Sequence, residues 1–494
     1  MGDTIVSTLL QLLVVTFIGL CLAQPTPPGL RARITTKGMD YVSSVAVKIL
    51  REKVRGIRIK DVFGESHIGI GDAKYSFTRM QLEGFSGLGT KVVPVAGRGL
   101  EWTANIGDLS VNGGWEYELE LFFFDIDDDG SFSASVSDVS FKMGLSLGRD
   151  PQGHLTARSS SCSANVGGAS VRFSGGASWL YNLFSDEVED LLKDELKEII
   201  CREAIEAVND DANRYLSRID LSVGLGKDDQ MMLDYAIAAA PIFTVNHVET
   251  YHKGDVYWTA GEQRSSVRGP APLPESTESS SMLYVWASDY VLRTFADIVQ
   301  THGILQRHLH PNDFPIHRRG VFNTTCHVGL CIGGAMAQLG RTYPNTTMSM
   351  RLASSVTPNV TITPRGVRLR FQGSIEFSAN VLGEEKHALT ANVTLFILAS
   401  ASIDAQNNRV TGQIARHRVR IAVADSAIGF VHDAGLQFSV AAILNMFVVP
   451  QLNELGAKGI SIPNIGEVKL VNPHLQLFQN AIMVKTDVSG IPRD

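Results

Sequence analysis

Polarity along the chain changes period several times, and each change marks an element. Over residues 37–54, Val42, Val45, Ala46 and Ile49 recur at helical spacing, with Thr35 and Thr36 ahead as caps. From 57 to 173 the period drops to two. The stretches 75–82 and 132–139 alternate in polarity and are separated by Gly and Asp, which predicts strands joined by turns. A long amphipathic helix is predicted over 178–215. Leu180, Phe184, Val188, Leu191, Leu192, Ile199 and Val208 form its apolar face. Asp186, Glu187, Glu189, Asp190, Asp194 and Glu198 form the other face and read as a solvated surface.

The second half repeats this order. Strands at 221–258 lead into a Pro/Ser-rich linker ending at 281. A helix at 288–302, strands through 423, a second helix at 425–445 and closing strands to 488 follow. The halves share no evident sequence identity, so the repeat is one of pattern.

Composition narrows the class. With 494 residues, 44% hydrophobic and 19% charged, the chain can bury a large core over two or three domains. So low a charged fraction excludes a disordered chain and a nucleic-acid-coating protein. The net charge of −7 is unevenly placed: residues 24–100 hold 13 Lys/Arg against 6 Asp/Glu, and 101–220 hold 9 against 23. The first stretch could meet anionic head groups, while the second would repel them.

The apolar run 9–22 is too short to span a bilayer and ends in small residues before Gln24. It reads as a secretory signal, 1–23, although no Lys or Arg precedes it. Removal of Cys21 leaves Cys162, Cys201, Cys326 and Cys331, an even number suited to an oxidising compartment, with three pairings possible. No CxxC pair points to zinc. Asn323, Asn345, Asn359 and Asn392 each open an Asn-X-Thr sequon, all within about 70 residues, which suggests one sugar-covered face.

Catalytic signatures are lacking. No GxSxG elbow occurs; the Gly-rich stretch 84–91 has the wrong order and spacing for a phosphate loop, and Gly69 and Gly71 make an incomplete dinucleotide fingerprint. His302, His308, His310 and His317 crowd a stretch that also holds Pro311 and Pro315, without an HExxH. They read as a surface loop, and no metal is expected. Residues 125–130, Asp-rich and ending in Gly130, resemble the start of a calcium loop, but Val136 stands where the closing Glu belongs. A hairpin turn is the better reading.

Several motifs in order now carry a resemblance. Residues 28–41, with Gly29, Lys37, Gly38, Asp40 and Tyr41 in register, are followed by Tyr75, Ser76 and Phe77. Cys162 and Cys201, then Ser288, Asp289 and Tyr290, and finally 449–454 and 458–463, complete the series. Together they resemble the family of bactericidal permeability-increasing protein and lipopolysaccharide-binding protein over roughly 28–490. The resemblance implies an α+β fold: an elongated boomerang of two similar barrels, each a highly twisted antiparallel sheet wrapped on a long helix, joined by a central antiparallel sheet. It divides the chain into signal (1–23), N-terminal barrel (24–220), central-sheet strands (221–260), linker (261–281), C-terminal barrel (282–454) and closing strands (455–494). It also implies a Cys162–Cys201 disulfide between strand and helix, worth about 3–4 kcal/mol by loop closure. Cys326 and Cys331 have no counterpart and could close a small local loop. Each barrel should hold phospholipid acyl chains, at about 0.8 kcal/mol per buried CH₂. The implied protein is a secreted, monomeric lipid binder, neither an enzyme nor transmembrane.

One departure bears on the ligand. The family's bactericidal members carry a Lys-rich hairpin at the tip of the first domain. Here 113–125 keeps Trp115 but sets Glu116, Glu118 and Glu120 on one strand face, where they should repel phosphate. The remaining basic candidates for an anionic-lipid patch are Arg51, Lys53, Arg55, Arg58, Lys60, Lys74, Lys91 and Arg98, with Arg79 beside them. Two readings follow. A pattern-recognition protein binding lipopolysaccharide or the bacterial outer membrane would weaken when Arg55, Arg58 and Lys60 become Glu. A phospholipid carrier would be indifferent to those charges.

Overall fold

The computed structural model describes residues 27–68, 71–85, 89–120, 125–175, 178–225, 229–326, 331–461 and 469–490, with backbone alone for 46–54, 178–185 and a few single positions. The signal expected at 1–23 lies outside the described residues, as do the side chains of Arg51, Lys53, Leu180, Phe184 and Glu187.

The fold is α+β with antiparallel sheets. At its centre six strands run in the order Ile237–Phe243, His247–His252, Leu30–Thr35, Leu283–Ser288, Ala481–Ser489, Lys469–Phe478. Each half contributes the strand that precedes its first helix, followed outward by a hairpin. The two leading strands pair with each other, Arg31 opposite Trp286. The repeat read from element order is thus an approximate two-fold arrangement about this pair. The central sheet also takes Leu30–Thr35 and Leu283–Ser288, which the division by sequence had left inside the two barrels. Of the strands at 221–258 only Ile237–Phe243 and His247–His252 join it. The others form a four-stranded sheet with Gln263–Arg264, which packs Leu233 and Val256 against Ile298 of the helix Tyr290–Thr301.

Charges are buried at the central pair. Arg33 Nε donates to Glu249 Oε1 at 2.8 Å, and Tyr251 Oη donates to Oε2 at 2.7 Å. Arg31 lies over the Trp286 ring, 4.2 Å from its centroid. The two arginines also donate to the backbone oxygens of Pro274 and Ser276. The Pro/Ser-rich segment is therefore held against the sheet at that point.

A large sheet lies on each side. The first runs Val62–Ile68, Gly71–Phe85, Gly99–Glu120, Asp125–Arg149, Leu155–Asn165, with Gly89–Val95 and Gly168–Ser174 added to its long strands. The second runs Gln306–Leu309, Met348–Ser354, Gly366–Val381, Glu384–Asp404, Arg409–Ser426, Ile460–Ser461, with Asn359–Thr363 paired to the third. Outward polar and inward apolar positions alternate along these strands, as the period of two predicts.

The helices follow the sequence with three corrections. Thr36–Val54 is capped by the Thr35 hydroxyl, which accepts from the Gly38 N–H, but its buried face holds Met39 and Ser43 while Val42 is 55% exposed. The second half's long helix begins at Asp433, later than 425, because the strand Arg409–Ser426 runs on and the chain turns at Gly429 (φ 85°). It continues through Leu444–Val448 to Lys458. Between 311 and 342 the expected strands are replaced by short helical turns, too brief to show a period. They send Phe314, Phe322, Ile332, Met336 and Leu339 into the core.

In the first half, Ser178–Glu206 continues through Ala207–Ala212 to Leu216, burying Val188, Leu192, Leu196, Ile199 and Val208. Asparagines on both long helices satisfy sheet-edge backbone. Asn213 Oδ1 accepts from the Ala157 N–H (2.8 Å) and its Nδ2 donates to the Ala157 oxygen (2.7 Å). Asn453 Oδ1 accepts from the Ile414 N–H (2.8 Å). Such pairing covers groups that an open edge would leave unpartnered. Disulfides Cys162–Cys201 and Cys326–Cys331 are both formed, the first joining strand to long helix.

Candidate functional site

The packed core of the second large sheet does not run the full length of its strands. Along Gly366–Val381 the inward positions Ile375 and Phe377 are buried, at 5% and 1% exposure. Val367, Leu369 and Phe371 continue the same face but are only half-buried. Their partners behave alike. Val393 is buried, whereas Leu395, Ile397 and Ala399, opposite Phe371, Leu369 and Val367, are half-buried. The helix changes at the same end: Leu444 and Phe447 are buried, while Leu452 and Leu455 are 38% and 59% exposed. Asn453 and Gly456 hold that turn against Ile414 and Gly412. Sheet and helix thus each carry apolar side chains that stay part-exposed beyond the packed core, surface suited to being covered by an apolar guest. On the first large sheet Leu145, Leu147 and Ala157 are likewise half-buried beyond buried Phe141 and Met143.

The tip of the strand pair Gly99–Glu120 and Asp125–Arg149, in the first large sheet, is acidic on both strands. The register sets Glu116 opposite Asp129, Glu118 opposite Asp127 and Glu120 opposite Asp125, and all six are exposed. Residues 125–130 are therefore strand; the hairpin turn expected there is corrected. Like charges directly opposite each other destabilise a sheet. Lys74 offsets part of this, with its ammonium 2.5 Å from Glu120 Oε1. That hydrogen bond and the Glu120 charge raise the Lys74 pKa. Trp115 points inward, 6% exposed, and donates to the Ser131 oxygen.

The basic residues singled out by sequence do not form one patch. Arg55, Arg58 and Lys60 stay together and exposed, on a segment lying along Met80–Leu82. Lys74 is at the tip, opposite Glu118, and Lys91 faces Thr103. The strand path between those two positions, from Thr103 to Glu118, is roughly 50 Å long at about 3.3 Å per residue. Arg79 donates its backbone N–H to Asp61. Arg98 sits at a turn whose Gly97 N–H bonds the Phe243 oxygen, at the central sheet.

A denser basic surface lies on the second large sheet. Arg368 and Arg370 alternate on one strand; Arg416, Arg418 and Arg420 alternate two strands away, and all five are exposed. Across the strand between, Arg370, Phe396 and Arg418 align in one row and Arg368, Leu398 and Arg416 in the next. The arginine columns are about 10 Å apart. Arg370 and Arg420 flank the Phe396 ring, 5.7 and 5.6 Å from its centroid. Guanidinium groups spaced in this way are suited to phosphate oxygens. Alternation at 416–420 was visible in the sequence; the register that joins it to 368–370 was not.

Asn359, opposite Arg370, and Asn392, opposite Ser374, lie exposed on this same face. Asn345 is exposed at φ 51°, and Asn323 is half-buried. The histidine-rich stretch is not a loop throughout. His302 caps a helix and stacks on Trp258, His308 is in the strand Gln306–Leu309, and His317 is in the turn Ile316–Arg319.

Comparison with known proteins agrees with this architecture. The profile of the LBP / BPI / CETP family, N-terminal domain, matches residues 38–217, and that of its C-terminal domain matches 226–489. The chain is 26% identical over 471 residues to bactericidal permeability-increasing protein of Sebastes schlegelii, covering 93% of this chain and 95% of the relative. It is 25% identical to human lipopolysaccharide-binding protein, covering 93% of each. A crystal structure of lipopolysaccharide binding protein superposes with a TM-score of 0.66 at 22% identity, over 94% of this chain and all of the other.

Proposed function

This chain belongs to the LBP / BPI / CETP family, and from that premise we propose that it is a secreted lipid-binding glycoprotein that takes bacterial lipopolysaccharide in innate defence. The observation that carries this reading is the failure of the C-terminal core to fill its barrel. Leu369, Phe371, Leu395 and Ile397 on the sheet and Leu452 and Leu455 on the helix all stay part-exposed, and acyl chains of a phospholipid would complete their burial. Each methylene so covered contributes about 0.8 kcal/mol.

The names of the relatives support an anionic glycolipid as ligand. On this chain, phosphate contact would fall to the arginine face at 368–370 and 416–420 and to Arg55, Arg58 and Lys60, since the N-terminal tip is acidic. Sugars attached at Asn359 and Asn392 would border the arginine face. Two disulfides suit an oxidising, extracellular setting. The acidic tip favours a second reading, a phospholipid carrier without preference for lipopolysaccharide.

Native mass spectrometry with lipid extraction, on protein secreted from eukaryotic cells, tests the pocket. Titration with lipopolysaccharide at two salt concentrations tests the head group. Bound phospholipid with tight, salt-weakened lipopolysaccharide binding is the expected result. Phospholipid alone favours the carrier, and absence of any lipid sinks both readings.

A further inference from the structure

We propose that His308, His310 and Glu385 form a binding site for a divalent transition-metal cation of the zinc class on the edge of the C-terminal sheet. His308 and His310 are two apart on extended chain, so both imidazoles project to one side. Their rings are 4.1 Å apart, centroid to centroid. Glu385, at the start of the strand Glu384–Asp404, reaches them: its Oε1 is 3.1 Å from His308 Nε2 and 3.6 Å from His310 Nδ1. The three donor atoms all lie within 4.8 Å of one another. Tetrahedral zinc with bonds of about 2.0–2.1 Å sets neighbouring donors about 3.3 Å apart, a value these separations bracket.

The carboxylate is held from behind. The Ser349 hydroxyl, on a residue 4% exposed, donates to Glu385 Oε1 at 2.6 Å. That hydrogen bond, together with the charges of His308, His310 and Arg351, keeps the Glu385 carboxyl below its ordinary range, against desolvation. Arg351, opposite His308 in register, is the one like charge among these groups, and it opposes a cation. Without metal, two imidazoles converge on a single carboxylate oxygen, a poor use of two donors. With metal, two nitrogens and one oxygen become ligands, and water fills the fourth position, the pattern of an open three-ligand site.

The cation would act as a clamp. The strand Gln306–Leu309 is at the sheet edge, paired with Met348–Ser354 only, and it leads directly into the helical turns at 311–342. Bridging it to the start of Glu384–Asp404 would span four strands with one ion. This role is independent of lipid binding.

The test uses the whole disulfide-bonded protein, dialysed against chelator and titrated with zinc chloride in a competitive indicator assay. Cobalt spectroscopy reports the geometry. Expected are one equivalent bound, a tetrahedral cobalt spectrum, a raised melting temperature with zinc, and weaker binding on acidification as protons compete. Glu385→Gln and His308→Ala/His310→Ala should each abolish the spectrum, and Ser349→Ala should weaken zinc about tenfold. His474→Ala, distant and exposed, should change nothing. Glu385→Gln alters one exposed carboxylate, so it decides the matter even if the double variant misfolds. Zinc binding unchanged in Glu385→Gln, or no binding by the wild type, overturns the site.

Discussion

Arg33 grips Glu249 with two nitrogens, Nε at 2.8 Å and Nη2 at 2.7 Å from the same Oε1, and both side chains are at most 7% exposed. They face each other across the strand pair Leu30–Thr35 and His247–His252, beside the point where the halves join. Removing Arg33 takes both close guanidinium contacts from the buried carboxylate and leaves it Tyr251 and the more distant Arg31, whose Nε is 3.9 Å away. Arg33→Ala should therefore lower unfolding stability by about 3–5 kcal/mol, read from denaturant midpoints. Replacing both by Met and Leu should recover most of it. A mild single variant would mean that water already reaches the pair.

The same carboxylate predicts an acid limit. Burial pushes the Glu249 pKa up, but hydrogen bonds from Tyr251 and Arg33 and the charges of Arg31 and Arg33 outweigh it, leaving the pKa below its ordinary 4.5. A depressed native value gives stability that is complete above the unfolded pKa and is lost as pH falls through the native one. Stability attributable to this group should hold from neutrality to about pH 4.5 and decline below. Glu249→Gln should flatten that part of the curve, and an unchanged acid limb would assign acid sensitivity elsewhere.

Charge reversal separates the two basic regions. A basic residue near an anionic membrane contributes about 1 kcal/mol. Arg416→Glu/Arg418→Glu/Arg420→Glu should weaken binding to anionic vesicles at low salt by at least about 3 kcal/mol, a hundredfold or more, since each change removes an attraction and adds a repulsion. The corresponding triple change at Arg55, Arg58 and Lys60 provides the comparison. Equal loss from both would indicate a diffuse field; loss from the second alone would remove the arginine face from lipid recognition.

Filling the apolar walls should displace lipid without unfolding the protein. Leu369→Trp and Ile397→Trp add bulk where the side chains are half-buried, so little packing is disturbed. Phospholipid should disappear from native mass spectra while the melting temperature of lipid-free protein holds. Retained lipid would place the guest elsewhere.

Much of the fold was legible because period and burial agree: the strand–helix order, the Thr35 cap and the repeat all follow from residue spacing. Misreadings have specific causes. Asp125, Asp127 and Asp129 look like a turn because aspartates are common there, yet they are the outward positions of a strand. The turns at 311–342 are each too short to carry a helical period. The apolar walls were illegible in principle, since Leu369 and Phe377 have the same character and only packing distinguishes a filled core from an open one. Arginines at 368–370 and 416–420 became one surface only through a shared neighbour, Phe396.

Lys37 donates to Asp487 at 2.7 Å, across 450 residues of chain. The strand Leu283–Ser288 is paired with Leu30–Thr35 on one flank and Ala481–Ser489 on the other. During synthesis the first half must therefore wait for 283–288, and that strand must in turn wait for 481–489. Until then an unpaired edge is open at the centre of the molecule, a template for another nascent chain. Biogenesis, more than the finished structure, is where this arrangement is vulnerable: truncation within the last hairpin should yield chains that associate with one another instead of completing their own central sheet.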